Sequence, residues 1–245
     1  MKAIIFGGIG TLVETSELQR QSFNDAFEAL GIPWRWDRAT YRRLLSVAGG
    51  QNRIRHFSLT QPAHRVPDDA LVARAHELKT QRFQAALESG SLALRGGIQR
   101  LINKAQSSDV KIALASTTLA SNIRALADAS CLSLDEFDVL LHRGLVAEPK
   151  PHPEVYLRCL ELLGVAADEA VAFEDSDSGV EAANAAGVTC IAMPGDNTSH
   201  HAFDDAAFVV GRSRGESLSN RFGNNALGMT GLDPASFREL LTAIR

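Results

Sequence analysis

Cysteine is scarce in this sequence. The 245 residues include only three cysteines, Cys131, Cys159 and Cys190. None of them stands in a Cys-x-x-Cys spacing, and an odd number does not suit a closed disulfide framework. Few unpaired cysteines are typical of proteins in a reducing compartment, so we predict a cytoplasmic protein without disulfides.

Long apolar runs and a surplus of one charge are also absent from the sequence. No stretch of about 18 apolar residues is present, which argues against a membrane-spanning helix. Residues 1–6 run directly into glycines, a pattern that predicts a strand rather than a secretory signal. Twenty-five basic and 29 acidic residues leave a net charge of −4, which argues against a dedicated nucleic-acid binder. The hydrophobic fraction of 45% is enough for a folded core, so we predict a folded protein with neither a nucleic-acid nor a membrane partner.

Short apolar runs alternate with helix-like segments along most of the chain. This alternation predicts an α/β fold with a doubly wound parallel sheet. The exception is a wholly helical block at residues 15–90, which follows the first strand as an insertion. We therefore predict a core domain of residues 1–14 and 91–245 and a helical cap domain of residues 15–90. The predicted strands are residues 2–6, 110–115, 137–141, 170–173, 188–193 and 208–210.

The C-terminal part of the sequence predicts two further segments. Residues 211–231 are rich in Gly, Ser, Asn and Arg, which is typical of a loop. Residues 233–244 predict a last helix, with Asp233 as its capping residue and Pro234 at its first position.

Polar side chains follow several of the predicted strands. Ser116 and Thr117 follow the second strand, Lys150 stands in a Lys-Pro-x-Pro segment, and Glu174 and Asp175 end the fourth strand. In a doubly wound sheet, ligands bind beyond the carboxyl ends of the strands. A hydroxyl and a lysine there suit phosphate oxygens, and paired carboxylates suit Mg²⁺.

These motifs resemble those of the haloacid dehalogenase superfamily. Within it, the chain is most similar to the β-phosphoglucomutase and CbbY-type sugar-phosphate phosphatase group, which carries a helical cap after the first strand. The resemblance implies phosphate binding by Ser116, Thr117 and Lys150 and magnesium binding by Glu174 and Asp175. It also implies that cap residues recognise the far end of a sugar phosphate. The cap residues that match are Glu17, Arg53, His76 and Lys79.

The first motif departs from the family pattern. The family reads Phe-Asp-x-Asp-Gly-Thr-Leu, whereas residues 6–12 read FGGIGTL. Gly7 replaces the aspartate that acts as nucleophile in the family, and Ile9 replaces the aspartate that acts as general acid and base. Covalent catalysis requires the first group and proton transfer requires the second. The departure predicts little or no phosphatase activity and weak magnesium binding, because one carboxylate is missing from the metal shell.

Three hypotheses about function follow from the residues. The first is a catalytically degenerate protein that binds a phosphorylated metabolite, such as a sugar phosphate, or another protein. The second is a working hydrolase of unusual mechanism that uses magnesium held by Glu174 and Asp175. The third is a dinucleotide-binding protein, suggested by the glycines after the first strand. The third glycine of that fingerprint would fall at position 13, where Val13 stands.

Several of these residues also have purely structural interpretations. Ser116 suits the cap of the next helix, and Glu174 and Asp175 suit the cap of a predicted helix that begins at Val180 and ends at Ala186. Lys79 lies in a predicted helix, where an exposed, solvated position is the simpler expectation. Ser116, Lys150 and Asp175 favour a shared site only because all three are predicted to lie at the same edge of the sheet.

Overall fold

The computed structural model describes residues 1–47, 49–62, 66–90 and 92–210. The predicted loop at 211–231 and the predicted helix at 233–244 lie outside the described residues. In the part of the chain that the structure describes, no helix is both long and apolar enough to cross a membrane.

A parallel sheet forms the centre of the fold. Within the described residues its strands are β1 (Ala3–Phe6), β2 (Lys111–Ala115), β3 (Val139–Leu141), β4 (Ala170–Glu174), β5 (Thr189–Ala192) and β6 (Phe208–Val209). Their order across the sheet is β3-β2-β1-β4-β5-β6. The chain builds one half of the sheet outward from β1 and then returns to the other side of β1 with β4, which confirms the predicted doubly wound α/β fold.

Both faces of the sheet are buried. Along β1, Ile4 and Phe6 pack into the hydrophobic cluster on one face, whereas Ala3 and Ile5 pack into the cluster on the other. Alternate strand residues point to opposite faces, so a strand covered on both sides reads as one continuous apolar run. This is why the short apolar runs of the sequence predict the strands correctly.

Helices cover the sheet and fill the segment between β1 and β2. Those of the described residues are α1 (Ile9–Leu12), α2 (Ser16–Ala29), α3 (Arg38–Leu44), α4 (Gly50–Ser58), α5 (Asp69–Ser89), α6 (Ile98–Ser107), α7 (Ala120–Ser130), α8 (Glu154–Leu163) and α9 (Asp177–Ala185). We call the segment from α2 to α5, residues 16–89, the helical insertion.

The helical insertion has an aromatic core of its own. The Trp36 ring lies 4.7 Å from the Phe23 ring and 4.9 Å from the Phe27 ring, measured between centroids. The Asn24 side chain accepts a hydrogen bond from the Trp36 N–H and donates one to the Trp36 carbonyl, which fixes the loop after α2. The insertion thus has a hydrophobic cluster of its own, and the division into a core domain and a cap domain at 15–90 stays a prediction.

Two local details differ from the sequence expectations. A four-residue helix, α1, follows β1 directly, and Gly8 precedes it with a φ of +152°, a region that favours glycine. The helix α9 begins at Asp177, three residues earlier than residue 180, because the Ser176 hydroxyl caps it by accepting from the Gly179 N–H at 3.2 Å. Glu174 and Asp175 therefore do not serve as the cap of this helix.

Arg95 connects the chain segments that follow β1 and β5. Its guanidinium donates to the carbonyl of Gly10 at 3.1 Å, of Met193 at 2.6 Å and of Pro194 at 2.5 Å. Three hydrogen bonds from one charged group hold both segments at the same edge of the sheet.

We expect Arg95→Ala to lower the free energy of unfolding by about 3 kcal/mol, because the variant leaves three carbonyl groups without their donor. Urea denaturation of the variant and the wild-type chain measures the loss. Arg95→Lys should recover only part of it, since a lysine lacks the planar fork that reaches several acceptors. A loss below about 0.5 kcal/mol for Arg95→Ala would show that these contacts do not hold the edge together.

Candidate functional site

The candidate site lies at the carboxyl ends of β1, β2 and β4. Phe6, the last residue of β1, pairs with Leu114 on one side and with Phe173 on the other. The residues that follow these strands are therefore brought together at one edge. The chain reverses its direction of sheet growth between β1 and β4, and such a switch point is where doubly wound sheets bind ligands.

At the end of β1, the side chain of Glu174 lies directly against Gly7. The Glu174 carboxylate accepts hydrogen bonds from the Lys150 ammonium at 2.5 Å and from the Tyr156 hydroxyl at 2.6 Å. Lys150 also donates to the Gly7 carbonyl. Burial raises the pKa of Tyr156 well above its usual range, so this hydroxyl is a neutral donor. The structure thus brings Lys150 and Glu174 together as a buried ion pair.

Asp175 is held apart from this ion pair. Its Oδ1 accepts from the Thr11 hydroxyl at 3.2 Å, and its carboxylate lies against Gly10. Burial first, and the neighbouring charge of Glu174 second, raise the pKa of Asp175 to about 6. Arg95 and Lys150 act in the opposite direction, with smaller effects.

The residues as arranged do not fit a magnesium ion. Mg²⁺ requires oxygen ligands in octahedral geometry, usually with one or two carboxylates available to it. The Glu174 carboxylate is bonded to Lys150 and Tyr156, which leaves Asp175 as the one carboxylate of the predicted metal pair without a cationic partner at hydrogen-bonding distance. Among the described residues, no group of three His, Cys, Asp or Glu side chains is placed to hold a metal.

Ser116 and Thr117 lie beside the first motif, at the end of β2. The Ser116 hydroxyl is buried and accepts from the Thr118 N–H at 3.2 Å. It does not cap α7, whose capping residue is Leu119 with no side-chain cap. Thr117 faces outward into a cavity that separates the helical insertion from the sheet edge.

This cavity has a volume of about 690 Å³, and we call it the interface cavity. Three of the four predicted cap residues line it, namely Arg53, His76 and Lys79, together with Thr117 from the core side. Glu17 does not line the cavity, because it pairs with Arg20 at 2.5 Å and with Arg38 at 3.4 Å. The lining residues are Ile9, Gln19, Phe23, Gly49, Gly50, Gln51, Asn52, Arg53, His76, Lys79, Thr80, Phe83, Thr117, Thr118, Leu119, Asn122 and Arg143.

The interface cavity is basic. Its lining includes two arginines, a lysine and a histidine, and among the described residues it includes no aspartate or glutamate. Lys79 is 8% exposed, its ammonium lies 5.1 Å and 4.8 Å from the Phe23 and Phe83 ring centres, and it donates to Gln19 at 3.0 Å. Cations that converge without a carboxylate favour an anionic ligand.

Burial and the neighbouring positive charges lower the pKa values of two side chains in this cavity. Burial, with a contribution from the Arg53 charge, lowers the pKa of Lys79 to about 7. Burial and the charges of Lys79 and Arg53 lower the pKa of His76 to about 4, so this imidazole is neutral at physiological pH. A bound anion would offset both effects.

We expect the stability of the chain to rise with pH between about 7 and 10, because of Lys79. Its pKa is lower in the folded state than in the unfolded state, so the unfolded chain binds the extra proton in this range. The slope is at most about 1.4 kcal/mol per pH unit. Below pH 7 both states hold the proton, and the contribution of Lys79 becomes constant.

The difference in unfolding free energy between the wild-type chain and Lys79→Met isolates this effect. Denaturation of both proteins from pH 6 to 10 should show the wild-type chain gaining on the variant above pH 7. A difference that stays constant over this range would show that Lys79 keeps its ordinary pKa.

Two residues of the site were not singled out by sequence reasoning. Tyr156, whose hydroxyl donates to Glu174, lies on α8, where an aromatic residue is expected to be part of the hydrophobic core. Arg143 lies in the short helical turn Arg143–Leu145 and reaches the interface cavity from the core side. No local pattern distinguishes either residue, since only the packing of α8 and the loop after β3 brings them to the site.

The fold and the site together define a doubly wound α/β protein with a helical insertion above the ligand edge of the sheet. The glycine-rich segment after β1 leads into this insertion, and not into the second strand that a dinucleotide fingerprint requires. A family model described as haloacid dehalogenase-like hydrolase matches residues 1–187. The chain therefore belongs to the haloacid dehalogenase-like hydrolase family, as its motifs predicted.

Individual relatives show which group within the family this chain resembles. Protein CbbY of Cereibacter sphaeroides is 43% identical over 209 residues, which cover 84% of this chain and 90% of that protein. A crystal structure of a CbbY mutant from Rhodobacter sphaeroides, in complex with xylulose-(1,5)bisphosphate, superposes on this chain with a TM-score of 0.78. Its sequence is 42% identical, and the match covers 86% of this chain and 93% of that chain. A CbbY structure from the same organism contains phosphate, with 40% identity, a TM-score of 0.77 and coverage of 93% of this chain and 99% of that chain. The predicted CbbY-type group is confirmed.

Proposed function

We propose that this chain binds a phosphorylated sugar in the interface cavity and does not hydrolyse it. The observation that carries the proposal is the cavity itself, with its basic lining and no carboxylate among the described residues. A volume of about 690 Å³ lies in the usual range for small-molecule sites. Arg53, His76 and Lys79 approach from the insertion, and Thr117 and Arg143 approach from the core.

The ligand class follows from the relatives. One CbbY structure contains xylulose-(1,5)bisphosphate and another contains phosphate. A sugar bisphosphate carries charge at both ends, and the basic groups on the two sides of the interface cavity suit such a molecule. We therefore place the proposed ligand in the class of sugar phosphates, with sugar bisphosphates first.

The residues at positions 7 and 9 are the reason to expect no hydrolysis. Gly7 offers no side chain for a covalent intermediate, and the Ile9 side chain, which lines the interface cavity, transfers no proton. Magnesium binding is correspondingly weak in this proposal, since the Glu174 carboxylate is committed to Lys150 and Tyr156.

Calorimetric titration of the wild-type chain with xylulose-1,5-bisphosphate tests the binding. We expect a saturable signal without magnesium, and we expect Lys79→Met and Arg143→Gln each to weaken the affinity at least about tenfold, since each removes a charge that faces the ligand.

Arg55→Gln is the matched control for this titration. Arg55 lies on α4, two positions beyond Arg53, but it is exposed and pairs with Asp69 at 3.0 Å instead of lining the cavity. Its replacement should change the affinity less than about twofold. No signal with the bisphosphate, or an equal loss in all three variants, would contradict the proposed site.

A further inference from the structure

The Glu174 carboxylate fills a niche between two glycines. A Cβ atom built on Gly7 would lie 2.1 Å from the carboxyl carbon of Glu174, and one built on Gly179 would lie 2.0 Å from it. Atoms cannot approach so closely, so the carboxylate occupies the volume that a side chain at position 7 would need. A side chain at position 7 would therefore have to displace the Glu174 carboxylate from its present position.

The carboxylate is held on several sides in this niche. One oxygen accepts from Lys150 and Tyr156, and the other accepts from the Asp175 N–H at 3.2 Å. Glu174 is 1% exposed and Lys150 is 9% exposed. A buried charge is tolerated only where it is paired and hydrogen-bonded, and each member of this pair meets that condition through the other.

We propose that Glu174 is the resident anion at the carboxyl ends of β1 and β4: its carboxylate takes the place left by the missing side chain at position 7, neutralises Lys150 and excludes external phosphate from that lysine. Anions then bind to this chain in the interface cavity, and not at Lys150. The role of Lys150 is thereby changed from a ligand-binding group to the counterion of a side chain of the same protein.

Because the Glu174 carboxylate lies against Gly7, replacement of the missing nucleophile by Glu174 is the alternative to consider. Nucleophilic attack requires the carboxylate oxygen to contact the phosphorus of the ligand. Glu174 is almost completely buried and lines neither the interface cavity nor the smaller cavity beside Asp175. The observations therefore favour a closed ion pair over a displaced nucleophile.

Removal of the resident anion tests the proposal. In magnesium-free buffer with EDTA, thermal unfolding is recorded in inorganic phosphate and in chloride of equal ionic strength. Glu174→Ala exposes Lys150 in a niche of suitable size, so phosphate should raise its Tm by at least about 4 °C more than it raises that of the wild-type chain. Adding Lys150→Met to this variant should abolish the extra gain.

Glu174→Gln keeps the size of the side chain and guards against a folding failure of Glu174→Ala. It removes the charge and leaves Lys150 without its counterion, so a phosphate gain of at least about 2 °C over the wild-type chain is expected; this gain is smaller than that of Glu174→Ala because the amide still fills the niche. Equal responses of the wild-type chain and the glutamine variant would overturn the proposal, as would an extra gain that survives Lys150→Met.

Phosphate bound in the interface cavity raises the Tm of the wild-type chain and of the Glu174 variants equally, so its effect cancels in the comparison. This proposal goes beyond the proposed sugar-phosphate function, and the two are tested by different variants. The cavity variants Lys79→Met and Arg143→Gln report on the one, and the Glu174 variants report on the other.

Discussion

Replacement of both Gly7 and Ile9 by aspartate is expected to give a phosphatase activity that requires magnesium and exceeds the wild-type rate at least about 100-fold. The two substitutions restore the groups that the family uses as nucleophile and as general acid and base. Proton transfer by a positioned side chain alone contributes about 100-fold to 10,000-fold. Lys150 and Asp175 lie beside the restored positions, and the new aspartate at position 7 requires the Glu174 carboxylate to leave the volume it occupies and become available to magnesium.

Gly7→Asn with Ile9→Asn is the matched control for this reversion. It adds side chains of the same size that neither form an acyl phosphate nor transfer protons in this way, so it should remain inactive. Phosphate release from xylulose-1,5-bisphosphate, followed with and without EDTA, measures both variants. A folded Asp–Asp variant that stays inactive would show that the site has diverged at more than two positions.

Gly7→Asp alone, without magnesium, is expected to lower the free energy of unfolding by about 3 kcal/mol. The new side chain enters a volume that Glu174 already occupies, and overpacking of this kind costs about 1 to 3 kcal/mol. It also brings a second carboxylate to a single ammonium, and a buried charge without its own partner adds to the cost.

A double-mutant cycle with Glu174→Ala identifies the cause of that loss. Glu174→Ala removes the steric conflict and leaves Lys150 for the new aspartate, so the double variant should be more stable than the sum of the single changes by about 2 kcal/mol. Gly96→Asp is the control, because a Cβ there meets no atom within 4 Å and the backbone has no positive φ. Additive effects in the cycle would mean that Gly7 and Glu174 are not coupled.

The sequence was sufficient to predict the sheet, for a physical reason. Strands buried on both faces are continuous apolar runs, and the glycines that end α8 and follow α9 mark the neighbouring helices clearly. The short helix α1 was missed because four residues show no helical period. The start of α9 was predicted too late because serine capping depends on the loop conformation, which residue types alone do not specify.

The candidate site was predictable only in part. Basic residues at family positions in the insertion indicated one side of the interface cavity, and Arg53, His76 and Lys79 indeed share it. Glu17 matched the same pattern, yet its charge is directed to Arg20 and Arg38, which is a matter of side-chain packing. The position of the Glu174 carboxylate against Gly7 could not be predicted from residue types, because it depends on the three-dimensional proximity of β1, β4 and α8.

The proposed function is that the chain binds a sugar phosphate and does not hydrolyse it. The most direct test is ³¹P NMR of the wild-type chain with xylulose-1,5-bisphosphate and magnesium in one sample. We expect the ligand resonances to broaden or shift and no inorganic phosphate resonance to grow with time. Growth of an inorganic phosphate signal that Asp175→Ala abolishes would contradict it and would establish the chain as a hydrolase.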